Sequence, residues 1–351
     1  MRRVRTGSVR RPISWDLTLL GGPTTVSIKP TPLFLLSLPR SGSTLAQRIL
    51  AAHEAIATTS EPWILLPYLY TLRERGAYAE YSHRVLVRAV EDFCKVLPHG
   101  RDDYVAEIRE LALRLYCKAS PDGTRYFLDK TPRYHLVSDE IIAAFPDGRY
   151  LLLWRNPLAV VASLIETWAG GKWNLYRFKV DLFDGIENLI QTYERHEDKV
   201  HAVRYEALIT QPEETWGNVF RYLGLPFDSS VLALFGNVEL TGRWGDHTGT
   251  ERYAEVSSEP LERWKRVLNN PVRKAWCRRY LRWIGRERLA VMGYDLDVLI
   301  AELDALPTSY RRIASDVGRG YWGLLRDLSE PHILGQKLSK LPEWNRIHVH
   351  K

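Results

Sequence analysis

The hydropathy pattern predicts an α/β fold with a central, mainly parallel sheet, and two observations carry that reading. Residues 33–38 and 150–154 are continuous apolar runs, the pattern of strands covered on both faces. Each run leads through a turn into apolar residues at helical spacing. Leu45, Ile49 and Leu50 follow the first, and Val160, Val161, Leu164 and Ile165 follow the second.

The composition suits such a fold. At 351 residues the chain can bury a sizeable core, and 45% hydrophobic with 26% charged residues is the balance of a globular protein. The formal charge of +7 favours an anionic ligand, but the basic residues are scattered and no nucleic-acid motif accompanies them. Three cysteines, Cys94, Cys117 and Cys277, lack metal-ligand spacing and suit a reducing compartment. No apolar run approaches the roughly 18 residues that cross a bilayer. The Arg-rich start is followed by no signal-peptide core, so residues 1–29 read as a basic arm and the location as cytoplasmic.

The first strand ends at Pro39, and Arg40-Ser41-Gly42-Ser43-Thr44 lead into a helix. The opening N–H groups of a helix have no intrahelical acceptor, and Arg40, Ser41, Ser43 and Thr44 add donors without bulk, which is what a phosphate oxygen needs. This stretch by itself fits both an anion cradle and an ordinary capped turn. It is not a Walker A loop, because no Lys follows Gly42, which counts against ATP with a bound metal.

Residues 51–67 carry the chain off this helix across the mouth of the site. Glu61, in the polar segment TTSEPW, has the position of a general base and equally that of a surface or capping residue. Trp63, Tyr68, Tyr70, Tyr78 and Tyr81 make the next segment aromatic, either an acceptor wall or core cover. Asp102 and Asp103 open a helix over 102–118 whose apolar face is Tyr104, Ile108, Leu111 and Leu115. In FLDKTPRY, a short strand over 126–128 ends at Asp129-Lys130-Thr131, and Pro132 opens a helix. Lys130 there either places a positive charge on a reacting oxygen or pairs with Asp129; Arg133 is a second cation.

The second run ends in Arg155-Asn156-Pro157, with Ser163 about two helical turns later. Two Arg-bearing strand-to-helix turns on one sheet imply a ligand with two separated anionic groups. Together PRSGSTL, FLDKTPRY and LLWRNPLAVVASL resemble the sulfotransferase superfamily that uses 3′-phosphoadenosine 5′-phosphosulfate (PAPS), closest in flavour to the protein-tyrosine and bacterial sulfotransferases. The resemblance covers residues 33 to about 228.

That resemblance implies a P-loop-like three-layer α/β/α sandwich with helical C-terminal additions. It implies in-line transfer of a sulfonate group to an acceptor hydroxyl, phenol or amine, with adenosine 3′,5′-bisphosphate leaving and no metal required. Arg40, Ser41, Gly42, Ser43 and Thr44 then hold the 5′-phosphosulfate, and Arg155 and Ser163 the 3′-phosphate. Lys130 and Arg40 stabilise the transferring group, Glu61 is the base, with Glu54 nearby as an alternative, and Arg204 and Tyr205 contact the nucleotide. Ser257, Ser258 and Lys265 are candidates for closing the site. His247 lacks a nucleophile or ligand partner.

The remaining pattern predicts a strand near residue 200, a helix over 211–223 stopped by Gly224, a helix beginning near Pro260, and one over 271–290 with outward arginines. The expected organisation is the arm 1–29, a PAPS-binding core 30–235 with an acceptor-side insertion at 62–124, and a C-terminal lid and helical extension 236–351. The tail, from about 300, either wraps the core or contacts a second subunit. The acceptor is a small-molecule, glycan, lipid-like or peptide hydroxyl. Two other readings are a kinase with an unusual cradle and a noncatalytic bisphosphonucleotide-binding protein.

Overall fold

The computed structural model describes residues 29–74, 76–77, 79, 81–242 and 258–329. Five strands form one sheet in the order β2-β3-β1-β4-β5: β1 (Thr31–Ser37), β2 (Ile56–Thr58), β3 (Tyr126–Asp129), β4 (Arg149–Trp154) and β5 (Val200–Arg204). Every pairing is parallel. The three residues of β2 are too few to show a period, and the sequence reading had them as part of a connection.

Helices cover both faces, as the apolar runs require. α1 (Ser43–Ala51) follows β1; α2 (Leu65–Tyr70), α3 (His83–Cys94) and α4 (Arg101–Ala119) fill the path from β2 to β3. α5 (Ser138–Ala144), α6 (Pro157–Ala169) and α7 (Ile186–Arg195) carry the chain on to β5. α8 (Tyr205–Thr210), α9 (Pro212–Leu223) and α10 (Val231–Leu234) come next. After residue 257 come α11 (Glu259–Val267), α12 (Pro271–Ile284), α13 (Arg286–Val291), α14 (Leu296–Ala305) and α15 (Ile313–Ser329).

Alternation along the strands divides the core in two. Leu33, Leu35, Leu151 and Leu153 pack with Ile49, Trp216 and Phe220 on one face. Phe34, Leu36, Leu152 and Trp154 pack with Ile141, Val161 and Ile186 on the other. Because β1 pairs with β3 on one side and β4 on the other, the chain reverses its direction across the sheet at β1. The loops leaving the carboxyl ends of β1, β3 and β4 therefore converge on one crevice, where open α/β sheets hold their ligands.

The C-terminal region departs from the sequence reading in two ways. The helix expected over 271–290 breaks at Gly285, whose φ of 85° and ψ of 163° side chains do not tolerate. Nor are its arginines all outward: Arg273 is buried, its Nε donating to Asp316 Oδ2 at 2.7 Å and its Nη2 to Oδ1 at 3.1 Å. This two-bond pair fastens α15 to α12, and Asn270 Nδ2 donates to the same Asp316 Oδ2 at 2.6 Å. The basic arm through residue 28, Tyr78, His247, Ser257 and the tail from 330 lie outside the described residues. Among those that are described, no helix is long and apolar enough to cross a membrane.

Removing one partner of a buried ion pair leaves the other charge uncompensated. Asp316→Ala should therefore lower unfolding stability by about 3 kcal/mol or more, read from urea denaturation. A variant as stable as the parent would show that the α12–α15 junction does not depend on the pair.

Candidate active site

A cavity of about 430 Å³ opens at the crevice, within the size range of small-molecule sites. The turn after β1 forms its floor. Gly42 is the N-cap of α1, with φ 90° and no side-chain cap, and the first hydrogen bond along the helix is from Ala46 N to Gly42 O at 3.1 Å. The N–H groups of Ser43, Thr44 and Leu45 thus precede the helical ladder, and all three residues line the cavity. Arg40 also has a left-handed backbone, φ 68°, which turns the chain sharply between strand and helix.

The turn after β4 meets it. Asn156 caps α6 by accepting from Leu158 N at 2.9 Å, and its own N–H donates to Glu206 Oε1 at 3.0 Å. The Arg155 Nη1 donates to the Arg40 carbonyl at 2.7 Å and its Nη2 to the Pro260 carbonyl at 3.0 Å. Its guanidinium lies 4.4 Å from the centre of the Tyr205 ring, a cation–π distance. The Arg40 Nε donates to Ser163 Oγ at 3.2 Å, above Trp168. So Arg40, Ser163, Arg155 and Tyr205, drawn from four points of the chain, all line one cavity.

The third wall carries a carboxylate backed by a buried ammonium. Glu61 Oε1 is 2.8 Å from Lys130 Nζ, and its Oε2 accepts from the Trp63 indole Nε1 at 3.2 Å. Glu61 faces the cavity; Lys130 stands behind it, its side chain 1% exposed. Lys130 thus pairs with Glu61 and not with the adjacent Asp129, which is otherwise engaged. The Asp129 carboxylate accepts from Tyr116 Oη at 2.6 Å, Tyr134 Oη at 2.9 Å and Thr131 Oγ1 at 3.1 Å. Burial raises its carboxyl from 3.8 to about 6, against the opposing pull of those hydrogen bonds and of the Lys130 charge.

Other expected residues lie elsewhere. Arg204 points to the C-terminal helices, where its Nη1 donates to the Gly293 carbonyl at 2.9 Å. Lys265 pairs with Glu262 at 2.5 Å, and neither Lys265 nor Ser258 lines the cavity. From that helix, Pro260, Arg263 and Trp264 line it instead. Their spacing places them on one helical face, a signal readable in the sequence. Arg133 does line the cavity, held by Asp181 at 3.2 Å. Ser41 is buried beneath the turn and Glu54 is not among the lining residues.

A model of the Sulfotransferase family matches residues 32–229, more than half of the chain. The chain belongs to the Sulfotransferase family. Among relatives of this sulfotransferase, nodulation protein NoeE of Sinorhizobium fredii is 27% identical over 86% of this chain and 76% of its own. Protein-tyrosine sulfotransferase 2 of Gallus gallus is 28% identical over 66% of this chain, which spans 62% of that relative. A solved sulfotransferase domain from the curacin biosynthetic pathway superposes with a TM-score of 0.47 at 22% identity, covering 68% of this chain and 91% of that one. The sulfotransferase described here is a PAPS-dependent enzyme that transfers a sulfonate group to an acceptor hydroxyl or amine.

Two outcomes follow from this geometry. A Cβ at residue 42 would stand 2.2 Å from Tyr205 Cδ2 on a backbone with positive φ. Gly42→Ala should therefore cost about 1 kcal/mol or more in stability and weaken adenosine 3′,5′-bisphosphate binding at least about tenfold by calorimetry; unchanged binding would separate the turn from the ligand. The raised Asp129 carboxyl holds its proton longer in the folded state, so its contribution to stability is full below about pH 4 and lost as pH rises through about 6. Denaturation at pH 4 and pH 7 should show Asp129→Asn without that loss, a difference of up to about 3 kcal/mol at about 1.4 kcal/mol per pH unit. Equal slopes in parent and variant would assign the pH dependence to other groups.

Proposed function

We propose that the cavity holds PAPS across the β1 and β4 turns and that Glu61 and Lys130 act at the transferring sulfonate. The observation that carries this reading is Glu61 on the cavity wall, 2.8 Å from the buried Lys130, in the cavity that two arginine-bearing turns also line. The donor set fits a ligand with two anionic ends. Uncapped N–H groups and the hydroxyls of Ser43 and Thr44 offer a cradle for the 5′-phosphosulfate. Arg155 and Ser163 offer a second, for the 3′-phosphate, with Tyr205 beside it.

Bound PAPS supplies a sulfonate joined to phosphate through a bridging oxygen. Glu61 accepts the proton of the acceptor hydroxyl as the new oxygen–sulfur bond forms and the bond from sulfur to the bridging oxygen breaks. Lys130 and Arg40 offset the charge that develops on that oxygen, in a site whose donors are already in place. The electron pair of the broken bond leaves with adenosine 3′,5′-bisphosphate. Glu61 is the one carboxylate among the described lining residues and is paired with Lys130. Residues 30–235 form the donor-binding core in this reading, with 62–124 on the acceptor side and α11, from the C-terminal part, closing the cavity.

Trp63 and Trp168, 39% and 45% exposed, line the cavity with Glu61. Flat, half-open indoles suit an acceptor that offers its hydroxyl from a ring or an apolar frame.

Calorimetric titration with adenosine 3′,5′-bisphosphate, beside ADP and ATP with and without magnesium, tests the donor site. Binding should favour the 3′,5′-bisphosphate and ignore magnesium; preference for magnesium–ATP would overturn the assignment of both turns. Turnover of PAPS, with an acceptor drawn from a screen of phenols, sugars and tyrosyl peptides, tests the chemistry. Lys130→Ala and Glu61→Gln should each lower kcat by about 100-fold or more while product binding is retained. Full turnover at saturating donor in both variants would remove these residues from catalysis.

A further inference from the structure

Glu61 lies on a connection, yet the segment around it is clamped at both ends. On the N-terminal side, the fully buried Gln47 of α1 donates its Nε2 to Thr58 Oγ1, Thr59 O and Ser60 O at 2.9, 2.7 and 3.2 Å. On the C-terminal side, two side-chain hydroxyls take the backbone N–H groups. Trp63 N donates to Thr131 Oγ1 and Leu65 N to Tyr134 Oη, both at 3.3 Å. Both hydroxyls in turn donate to the Asp129 carboxylate, Thr131 to Oδ1 at 3.1 Å and Tyr134 to Oδ2 at 2.9 Å.

The polarity of this relay is forced. A backbone N–H only donates, so each hydroxyl must accept there and turn its own hydrogen towards residue 129. Residue 129 must then accept on both of its oxygens. A carboxylate does so, whereas an amide would present an NH₂ group to one hydroxyl and reverse it. The arrangement also accounts for Trp63, which has a φ of 58°. A bulky residue keeps that strained conformation only where its surroundings hold it. In that conformation its indole Nε1 reaches Glu61 Oε2 at 3.2 Å, while Lys130, the residue beside Asp129, takes Oε1 at 2.8 Å.

We infer that Asp129, acting through Thr131 and Tyr134, is the positioning residue of the base segment, holding Trp63 in its left-handed turn so that Glu61 is presented to the acceptor with both oxygens oriented. The inference rests on Glu61 being the base. It extends the site inward from the reacting groups to a buried carboxylate that touches neither donor nor acceptor. Because Lys130 follows Asp129 directly, one strand end sets both the ammonium and the carboxylate it pairs with.

Asp129 is fully buried, so the test uses the outer members of the relay. Thr131→Val and Tyr134→Phe should each lower kcat about tenfold with the KM for PAPS within about twofold of the parent, and Thr131→Ser should restore it. Adenosine 3′,5′-bisphosphate binding, measured by calorimetry, should be unchanged and show each variant folded. The deciding readout is a double-mutant cycle with Glu61→Gln, in which Thr131→Val should cause no further loss. If Thr131→Val and Tyr134→Phe retain parental kcat while Glu61→Gln does not, the relay is wrong and the base stands. If Thr131→Val costs as much beside Glu61→Gln as alone, its role is general packing and the relay is wrong. If Glu61→Gln itself keeps parental kcat, the base assignment falls and the relay with it.

Discussion

The Arg155 guanidinium is the junction on which the crevice depends. Two of its nitrogens donate to carbonyls from distant parts of the chain, Arg40 in the first turn and Pro260 at the start of α11, and its face lies on the Tyr205 ring. A guanidinium does this because its donors diverge in one plane while its faces stay available for stacking, and because it is weakly hydrated enough to be buried. Lysine, with a single strongly hydrated centre, has no equivalent geometry. Tyr205, fixed under Arg155, packs so near residue 42 that only glycine fits the turn between them. The arginine therefore shapes the cradle as well as charging it, and the left-handed backbone of Arg40 is stabilised through its own carbonyl.

A second constraint acts at the opposite wall. Lys130 is almost without solvent, and an ammonium in that position requires a close counter-charge. The adjacent Asp129 is closer in sequence but accepts from three hydroxyls, so Glu61, from the connection after β2, fills that role. Burial of one lysine is thereby coupled to the placement of a loop carboxylate. The fold uses a rigid strand end to hold a cavity-lining carboxylate that sits on a connection.

Much of this was legible in the sequence. The unbroken apolar runs announced buried parallel strands, because a strand covered by helices on both faces has no polar side to show. Arg40, Arg155 and Ser163 were readable because strand-to-helix turns leave their trace as short polar segments between two hydropathy periods. The residues that join those segments were harder to see. Gln47 acts through contacts 11 to 13 positions away and Asp129 reaches Tyr116 13 positions back, and no local period marks them. Arg273 read as one more surface arginine on an amphipathic helix, since its burial depends on Asp316, 43 residues downstream. The helix break at Gly285 shows the same limit: one glycine within good helical spacing does not reveal which backbone conformation the following segment demands.

The cavity draws its lining from residues 39 to 45 at one extreme and from 260 to 264 at the other. Arg155, which belongs to the middle, spends one of its two carbonyl partners on that late segment. The sheet and its two turns are thus complete in the chain well before the wall that closes over them. Chain order and cavity order are therefore distinct: the turns that charge the cavity come early, and the wall that covers it comes after every strand. An enclosed cavity thus requires the C-terminal third of the chain, whose buried apolar residues from Trp264 to Leu306 also belong to the core beneath the sheet.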